Sequence, residues 1–414
     1  MLDDTQAAFL RRHRIRAVVL FRGNLGTEEE VRALTADLRA AMGPAALIGV
    51  DQEGGAVVRA TFLPQPPSAM ALGAAGDEVL AHDVGAAVAR GIRSIGFNWN
   101  FAPVLDVNSN SDNPVIAERS FSANPDEVAR LGAAWMRGAL SERVACCIKH
   151  FPGHGDTHVD SHYDLPVVDK PREALDTLEL APFRALLDQA PAIMTAHIVY
   201  PQIDPQYPAT LSRALIGGLL REEWHYDGVV ITDSLVMKAI HDRYGHDRAA
   251  VLALHAGADM VMALGTDDEQ AAAIDAIQAA LDHGELDRRS LLRARARLDA
   301  LAGRFPIDAG VYSSETRRAD EELMRRAWAR GLVALEWRKT AAARPAAAHH
   351  YATPRSRRRR FGAGTIGRPC RDAVHSFRDR RRNASRRPVR TGLVHRCPRR
   401  PDHRPRFQRS HALR

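Results

Sequence analysis

The sequence predicts an α/β protein, a (β/α)8 barrel with its first strand missing, followed by a disordered Arg-rich C-terminal tail. Three observations carry this expectation. Short apolar or β-branched runs alternate with long amphipathic stretches up to about residue 340. The runs are apolar almost throughout, as strands covered on both faces must be. Polar residues gather at or just beyond their C-terminal ends.

Taken in order, the chain opens in a helix-like stretch, TQAAFLRRHR, and then offers seven strand candidates. These are RAVVLF (16–21), AALIGVD (45–51), FNWNFAPVLDV (97–107), VACCIKH (144–150), PAIMTAHIVY (191–200), GVVITDS (228–234) and ADMVMAL (258–264). Helices between them carry readable start signals. Thr27 with Glu30 forms a capping box, and Asn124 with Pro125, Asp126 and Glu127 supplies a cap, a first-turn proline and acids at the positive helix end. A doubly wound open sheet satisfies the same alternation. What favours the barrel is that Asp51, Asp106, Lys149 with His150, His197 and Asp233 each fall at a strand's C-terminal end. In a barrel those ends converge on one mouth, whereas an open sheet spreads them along an edge. Seven candidates leave the barrel one strand short, so either a strand is expected ahead of Met1 or the barrel closes imperfectly.

Composition narrows the function classes. The 45% hydrophobic share supports a real core, and no stretch approaches the ~18–20 apolar residues of a membrane span. The N-terminus lacks the basic start, apolar run and cleavage site of a secretory signal, so a cytoplasmic location is expected. Four cysteines without C-x-x-C spacing fit a reducing compartment and no zinc ribbon. The net charge of +8 is uneven: residues 341–414 hold 22 Arg, no Lys and 3 Asp, a net of +19, which leaves the first 340 residues at −11. The division expected is therefore an enzyme-like domain over 1–340 and a low-complexity tail over 341–414. The tail has no sustained periodicity. Binding nucleic acid through its arginines is the disfavoured reading, and an out-of-frame extension the preferred one.

The densest chemistry lies in KHFPGHGDTHVDSHYD, residues 149–164. One reading is a metal site using His154, Asp156, His158, Asp160 and His162. The glycines and Pro152 oppose the regular strand that would align these five, and catalytic zinc ligands usually come from several elements. A second is proton transfer by a histidine braced by a carboxylate, with Asp160 and His162 close enough in DSH for a turn to join them. The third is a polar loop that carries nothing.

KHFPGHGDT followed by DSH, with DQEGG (51–55), NFAPVLDV (100–107), ERSFS (118–122) and TDSLVM (232–237), resembles glycoside hydrolase family 3, in particular its single-barrel β-N-acetylglucosaminidases. The resemblance runs from about residue 5 to about residue 335. It implies Asp233 as nucleophile and His162 as general acid/base with Asp160 as its partner. It places sugar contacts on Asp51, Arg59, Arg119, Lys149 and His150.

Retaining glycoside hydrolysis asks for such a pair, a carboxylate on one face of the sugar and a proton donor on the other. A histidine in place of the usual second carboxylic acid is neutral after giving up its proton, which avoids a second anion beside the nucleophile. Asp106 is expected to bond loop amides, and His154 and His158 to shape the loop; His197 is left without a role.

The expected activity is thus a retaining exo-β-N-acetylglucosaminidase, with no cofactor and no metal, acting on N-acetylglucosamine-containing muropeptides of peptidoglycan recycling. Rival readings are a β-glucosidase or a phosphorylase of the same family, or a silent barrel whose tail binds nucleic acid. Membrane partners are not expected, and the sequence is silent on oligomeric state.

Overall fold

The computed structural model of the chain describes residues 1–161 and 164–341, the side chains of 333–341 excepted. The expected domain division near residue 340 and the tail beyond it lie outside these residues.

All seven expected strands form: β1 (Ala17–Val19), β2 (Leu47–Val50), β3 (Trp99–Asn100), β4 (Ala145–Phe151), β5 (Ala192–Thr195), β6 (Val229–Ser234) and β7 (Met260–Met262). They make one parallel sheet in chain order. Among the described residues no ladder joins β7 to β1. Both outer strands are correspondingly half-exposed in part, whereas β2, β4 and β5 are buried along their whole length.

Strand β3 is far shorter than the apolar run 97–107 suggests, because Pro103 has no N–H for a ladder. Beyond Asn100 the chain stays extended beside β4 through the Leu105 amide, which donates to the Lys149 carbonyl at 2.7 Å. Sequence reasoning read this extended segment as strand.

The helices are α1 (Asp4–Arg12), α2 (Glu28–Met42), α3 (Ala69–Ala75), α4 (Glu78–Ser94), α5 (Pro125–Ser141), α6 (Arg172–Thr177), α7 (Ala181–Leu186), α8 (Lys238–Tyr244), α9 (His246–Ala256), α10 (Asp267–Asp282), α11 (Arg288–Arg304) and α12 (Ser314–Ala341). The two start signals operate as the sequence suggests. Thr27 and Glu30 exchange bonds at 2.8 and 3.3 Å, and Asn124 accepts the Asp126 amide at 2.9 Å. No described helix is long and apolar enough to cross a membrane.

Inside the curl of the sheet, Leu47, Trp99, Phe101, Cys147, Met194, Ile231 and Met262 form one apolar cluster with Leu301 and Phe305 from the end of α11. Helix α11 is fastened at the strands' N-terminal ends. Arg297 pairs with Asp227 (2.8 Å) and Asp259 (3.0 Å), and the Phe305 carbonyl accepts from Asn98 at 2.8 Å. That end is therefore closed by structure, and the C-terminal ends remain for chemistry.

Helix α12 is held on the outer layer by the buried Asp320 carboxylate, which accepts from Arg90 Nε (3.2 Å), Arg90 Nη2 (2.7 Å) and the Tyr312 hydroxyl (3.0 Å). Asp320→Ala removes two carboxylate bonds from the Arg90 guanidinium, which keeps its pair with Glu142, and the bond from Tyr312, and should cost about 2 kcal/mol. The expected reading is a lower urea midpoint at unchanged slope, with no change in any activity measured at 25 °C; an unchanged midpoint would show that the cluster does not hold α12.

Candidate active site

Polar side chains converge at the C-terminal ends of β2, β4 and β6. After β2 the chain makes the turn Asp51–Gly55, fixed through Gln52. Its amide donates to Asn100 Oδ1 (3.0 Å), Asn100 Nδ2 returns a bond to the Gln52 carbonyl (3.0 Å), and its side-chain oxygen accepts the Arg59 and Ala60 amides. Gly54 has φ +125, and a Cβ there would stand 2.1 Å from the Pro67 carbonyl oxygen, so no side chain fits. The turn thereby presents Asp51 and Glu53 inward.

Between these two acids lies Lys149, 2% exposed, its Nζ 2.8 Å from Asp51 and 2.6 Å from Glu53. Burial alone would lower its pKa; the two carboxylates raise it above the ordinary lysine value. Glu53 is also gripped by Arg119, with Nε and Nη2 each 2.9 Å from one carboxylate oxygen. Burial pushes the Glu53 carboxyl up, and Arg119 with Lys149 overcomes it, holding the group far below the usual range. Arg59 completes the cluster, 3.3 Å from Asp51 and with its cation over the Phe21 ring. Its buried Nε has no hydrogen-bond partner among the described residues.

A second hub is Asp106, fully buried beyond β3. It accepts the His150 amide (3.1 Å) and the His154 amide (2.7 Å), and its other oxygen lies 2.7 Å from His150 Nδ1. His150 Nε2 faces Arg119 Nη2 at 3.3 Å. Since a guanidinium only donates, that nitrogen is the acceptor and the proton sits on Nδ1. Burial tends to raise the Asp106 carboxyl; His150 and the loop amides bring it below its ordinary value.

From this hub the loop after β4 is built outward. The ring of His154 lies between two hydroxyls, Thr157 Oγ1 at 2.8 Å from Nδ1 and Ser161 Oγ at 3.0 Å from Nε2. Burial lowers its pKa to about 4, so the ring stays neutral. Asn113 donates to the His154 carbonyl (2.8 Å) and to Thr157 Oγ1 (3.2 Å).

Asp233 stands one residue from the end of β6, half-buried, accepting the Ser234 amide at 2.7 Å. Burial raises its pKa, and His197, His150, that amide and Lys149 together lower it below the ordinary aspartate value. His197 is buried, with Nδ1 2.8 Å from the Thr210 hydroxyl and Nε2 2.9 Å from the Ser234 carbonyl, so it holds the strand end that carries Asp233.

The structure thus brings Asp51, Arg59, Arg119, Lys149 and His150 into one contact network, with Asp233 in the electrostatic reach of Lys149 and His150. Asp160 is half-buried in the loop and its carbonyl accepts the Asp164 amide at 3.1 Å. His162 lies outside the described residues, and so does any meeting of the two. Of the loop-shaping expectations, His154 is built into the loop, while His158 is exposed, its Nδ1 3.1 Å from Asn110 Nδ2. Among the described residues no group of three or more His, Cys, Asp or Glu is placed to hold a metal. Sequence reasoning missed Glu53 and Asn113. An acid two residues beyond Asp51 in a Gly-Gly turn was a signal for Glu53; nothing distinguished Asn113 in its polar segment.

The glycosyl hydrolase family 3 N terminal domain matches residues 1–301. A beta-hexosaminidase of Alkalilimnicola ehrlichii is 39% identical over 269 residues, 63% of this chain and 77% of that protein. Beta-hexosaminidase A of Pseudoalteromonas piscicida is 37% identical over 284 residues, 63% of this chain, which spans only 48% of that longer relative. A family 3 β-N-acetylglucosaminidase structure from Paenibacillus superposes with a TM-score of 0.75 at 41% identity, covering 80% of this chain and 65% of that one.

The neutral His154 makes a stability prediction. Between pH 6.5 and about 4 the unfolded chain binds a proton that the native ring refuses, so stability is intact above 6.5 and falls as the pH is lowered towards 4. The loss is roughly 3 kcal/mol in all. His246, also lowered by burial, adds to this slope in any variant. His154→Gln should be the less stable protein at pH 7, with the gap narrowing as melting is followed down to pH 4; a gap constant with pH would contradict the neutral ring.

Proposed function

We propose, from the premise that this chain belongs to glycosyl hydrolase family 3, that it is a retaining exo-β-N-acetylglucosaminidase acting through a covalent glycosyl-aspartate. The observation that carries this reading is Asp233: a carboxylate kept ionised at a strand end, beside a preformed cluster of buried acids and bases. The reading takes the seven strands as those of a (β/α)8 barrel whose mouth is the site. Its relatives include proteins named as beta-hexosaminidases and a β-N-acetylglucosaminidase, which supports the choice of sugar.

In this mechanism Asp233 attacks the anomeric carbon while His162, oriented by Asp160, protonates the departing oxygen; the neutral imidazole then takes a proton from water, which hydrolyses the intermediate. An ionised Asp233 is ready to attack without a base. Asp51 accepts sugar hydroxyls, and the partly exposed Arg59 guanidinium beside it donates to them. Glu53 touches no sugar; it aligns Lys149 and Arg119. Muropeptides released from peptidoglycan, met in the cytoplasm, are the proposed natural substrate.

Release of 4-nitrophenol from its β-N-acetylglucosaminide, beside the β-glucoside and with or without phosphate, tests the assignment. Wild type should prefer the N-acetylglucosaminide without needing phosphate, and Asp233→Asn should lose about 10³-fold or more. Preference for the glucoside would make it a β-glucosidase, and a phosphate requirement a phosphorylase.

Glu53→Gln removes the charge opposing two buried cations and lets both shift. A loss of about 10²-fold in kcat/KM is expected; near-wild-type kinetics would show that Arg119 and Lys149 need no alignment.

A further inference from the structure

We propose that Lys170 is a positioning residue for proton transfer, holding the turn that leads into Asp160 and His162; this rests on the acid/base reading of that pair. Lys170 lies on the chain between the loop after β4 and α6 and makes two ion pairs. Its Nζ is 2.9 Å from Asp156 Oδ2 in the loop and bonds Glu179 Oε1 just ahead of α7. Glu179 is fully buried, and among the described residues its second oxygen has no hydrogen-bond partner and Lys170 is the one cation paired with it. Burial would lower the Lys170 pKa, and Glu179 and Asp156 raise it, which keeps the link charged.

The loop is pinned around this point. Gly153, φ +143, lies so close to Glu179 that a Cβ there would come within 2.7 Å of the Glu179 Cβ, and the Tyr200 hydroxyl donates to the Gly153 carbonyl. Next in sequence, the His154 amide is tied to Asp106, and the His154 ring reaches across to Ser161, the residue between Asp160 and His162. The stretch from Asp156 to Ser161 is therefore held at both ends, by Lys170 at the first and by His154 at the second. Of the two, Lys170 is the anchor that comes from outside the loop. Through Glu179 it references the turn to α7, behind the sheet.

None of the sugar-facing residues contacts Lys170: Asp51, Arg59, Arg119, Lys149 and His150 are fixed by Glu53 and Asp106. Removing the lysine should therefore disturb proton donation and spare sugar binding. Leaving groups separate these effects. A phenyl β-N-acetylglucosaminide needs its oxygen protonated as the bond breaks, whereas a 2,4-dinitrophenyl one leaves unaided. For Lys170→Met, kcat/KM on the phenyl substrate should fall about ten- to hundredfold and on the dinitrophenyl substrate less than threefold. Lys170→Arg should restore most of it.

Asp156→Asn, which leaves the Glu179 pair intact, should show the same substrate-dependent loss if Lys170→Met does not fold. Equal losses on both substrates, or none, would overturn the proposal while wild type and Asp233→Asn still behave as a glycosidase and its inactive variant. A folded wild type inactive on both substrates would overturn the acid/base reading itself, and the role of Lys170 with it.

Discussion

The ammonium of Lys149, buried at 2% exposure, sets the terms for the rest of the site. A cation taken out of water must be met by anions, or it costs several kcal/mol and loses its proton. Asp51 and Glu53 meet it, two acids against one base, and the surplus negative charge recruits Arg119 onto Glu53 and Arg59 onto Asp51. Arg119 in turn fixes the tautomer of His150, which Asp106 holds from the other side. Each group is thus justified by its neighbour. Such a network is an expensive way to stabilise a fold, since apolar residues of similar volume would do as well. Its value lies in presenting fixed charges where a polar ligand can use them.

The parallel sheet makes this concentration possible. Consecutive strands deliver their ends to one side, so that Lys149 on β4 pairs with Asp51 after β2 and also acts on Asp233 on β6. The opposite end is spent on closure by α11, with Leu301 and Phe305 packed into the curl and Arg297 paired to two strand starts. Stability and chemistry occupy different ends of the same strands.

Much of this was legible in the sequence because it follows from local pattern. Every strand candidate formed, and both helix caps work as read, since period and capping depend on neighbours in the chain. Candidate site residues could be found because they sit where apolar runs stop. Asp106 does bond loop amides as expected, but its hold on the His150 ring joins residues 44 apart, which no spacing rule encodes. Glu53 was hidden for a related reason: its partners come from two other elements, Arg119 and Lys149, so its weight is visible only once the sheet is assembled. The overlong reading of β3 has a local cause, a proline inside an extended apolar run, and composition cannot say whether such a run is laddered.

The two halves of the site differ in what it would cost to move them. Separating Lys149 from its acids exposes uncompensated buried charge, at about 3–5 kcal/mol. The Asp156–Lys170 contact is a pair about one-quarter exposed on each side, and contacts of that kind are worth about 1 kcal/mol or less. The groups around Lys149 therefore have no accessible alternative arrangement, whereas the turn before Asp160 is fixed at Asp156 by a contact only slightly above thermal energy. Under the proposed mechanism the rigidity around Lys149 would adjoin the group that needs it most, since carbon–oxygen bond formation at Asp233 tolerates less displacement than a proton transfer that can run through an intervening water.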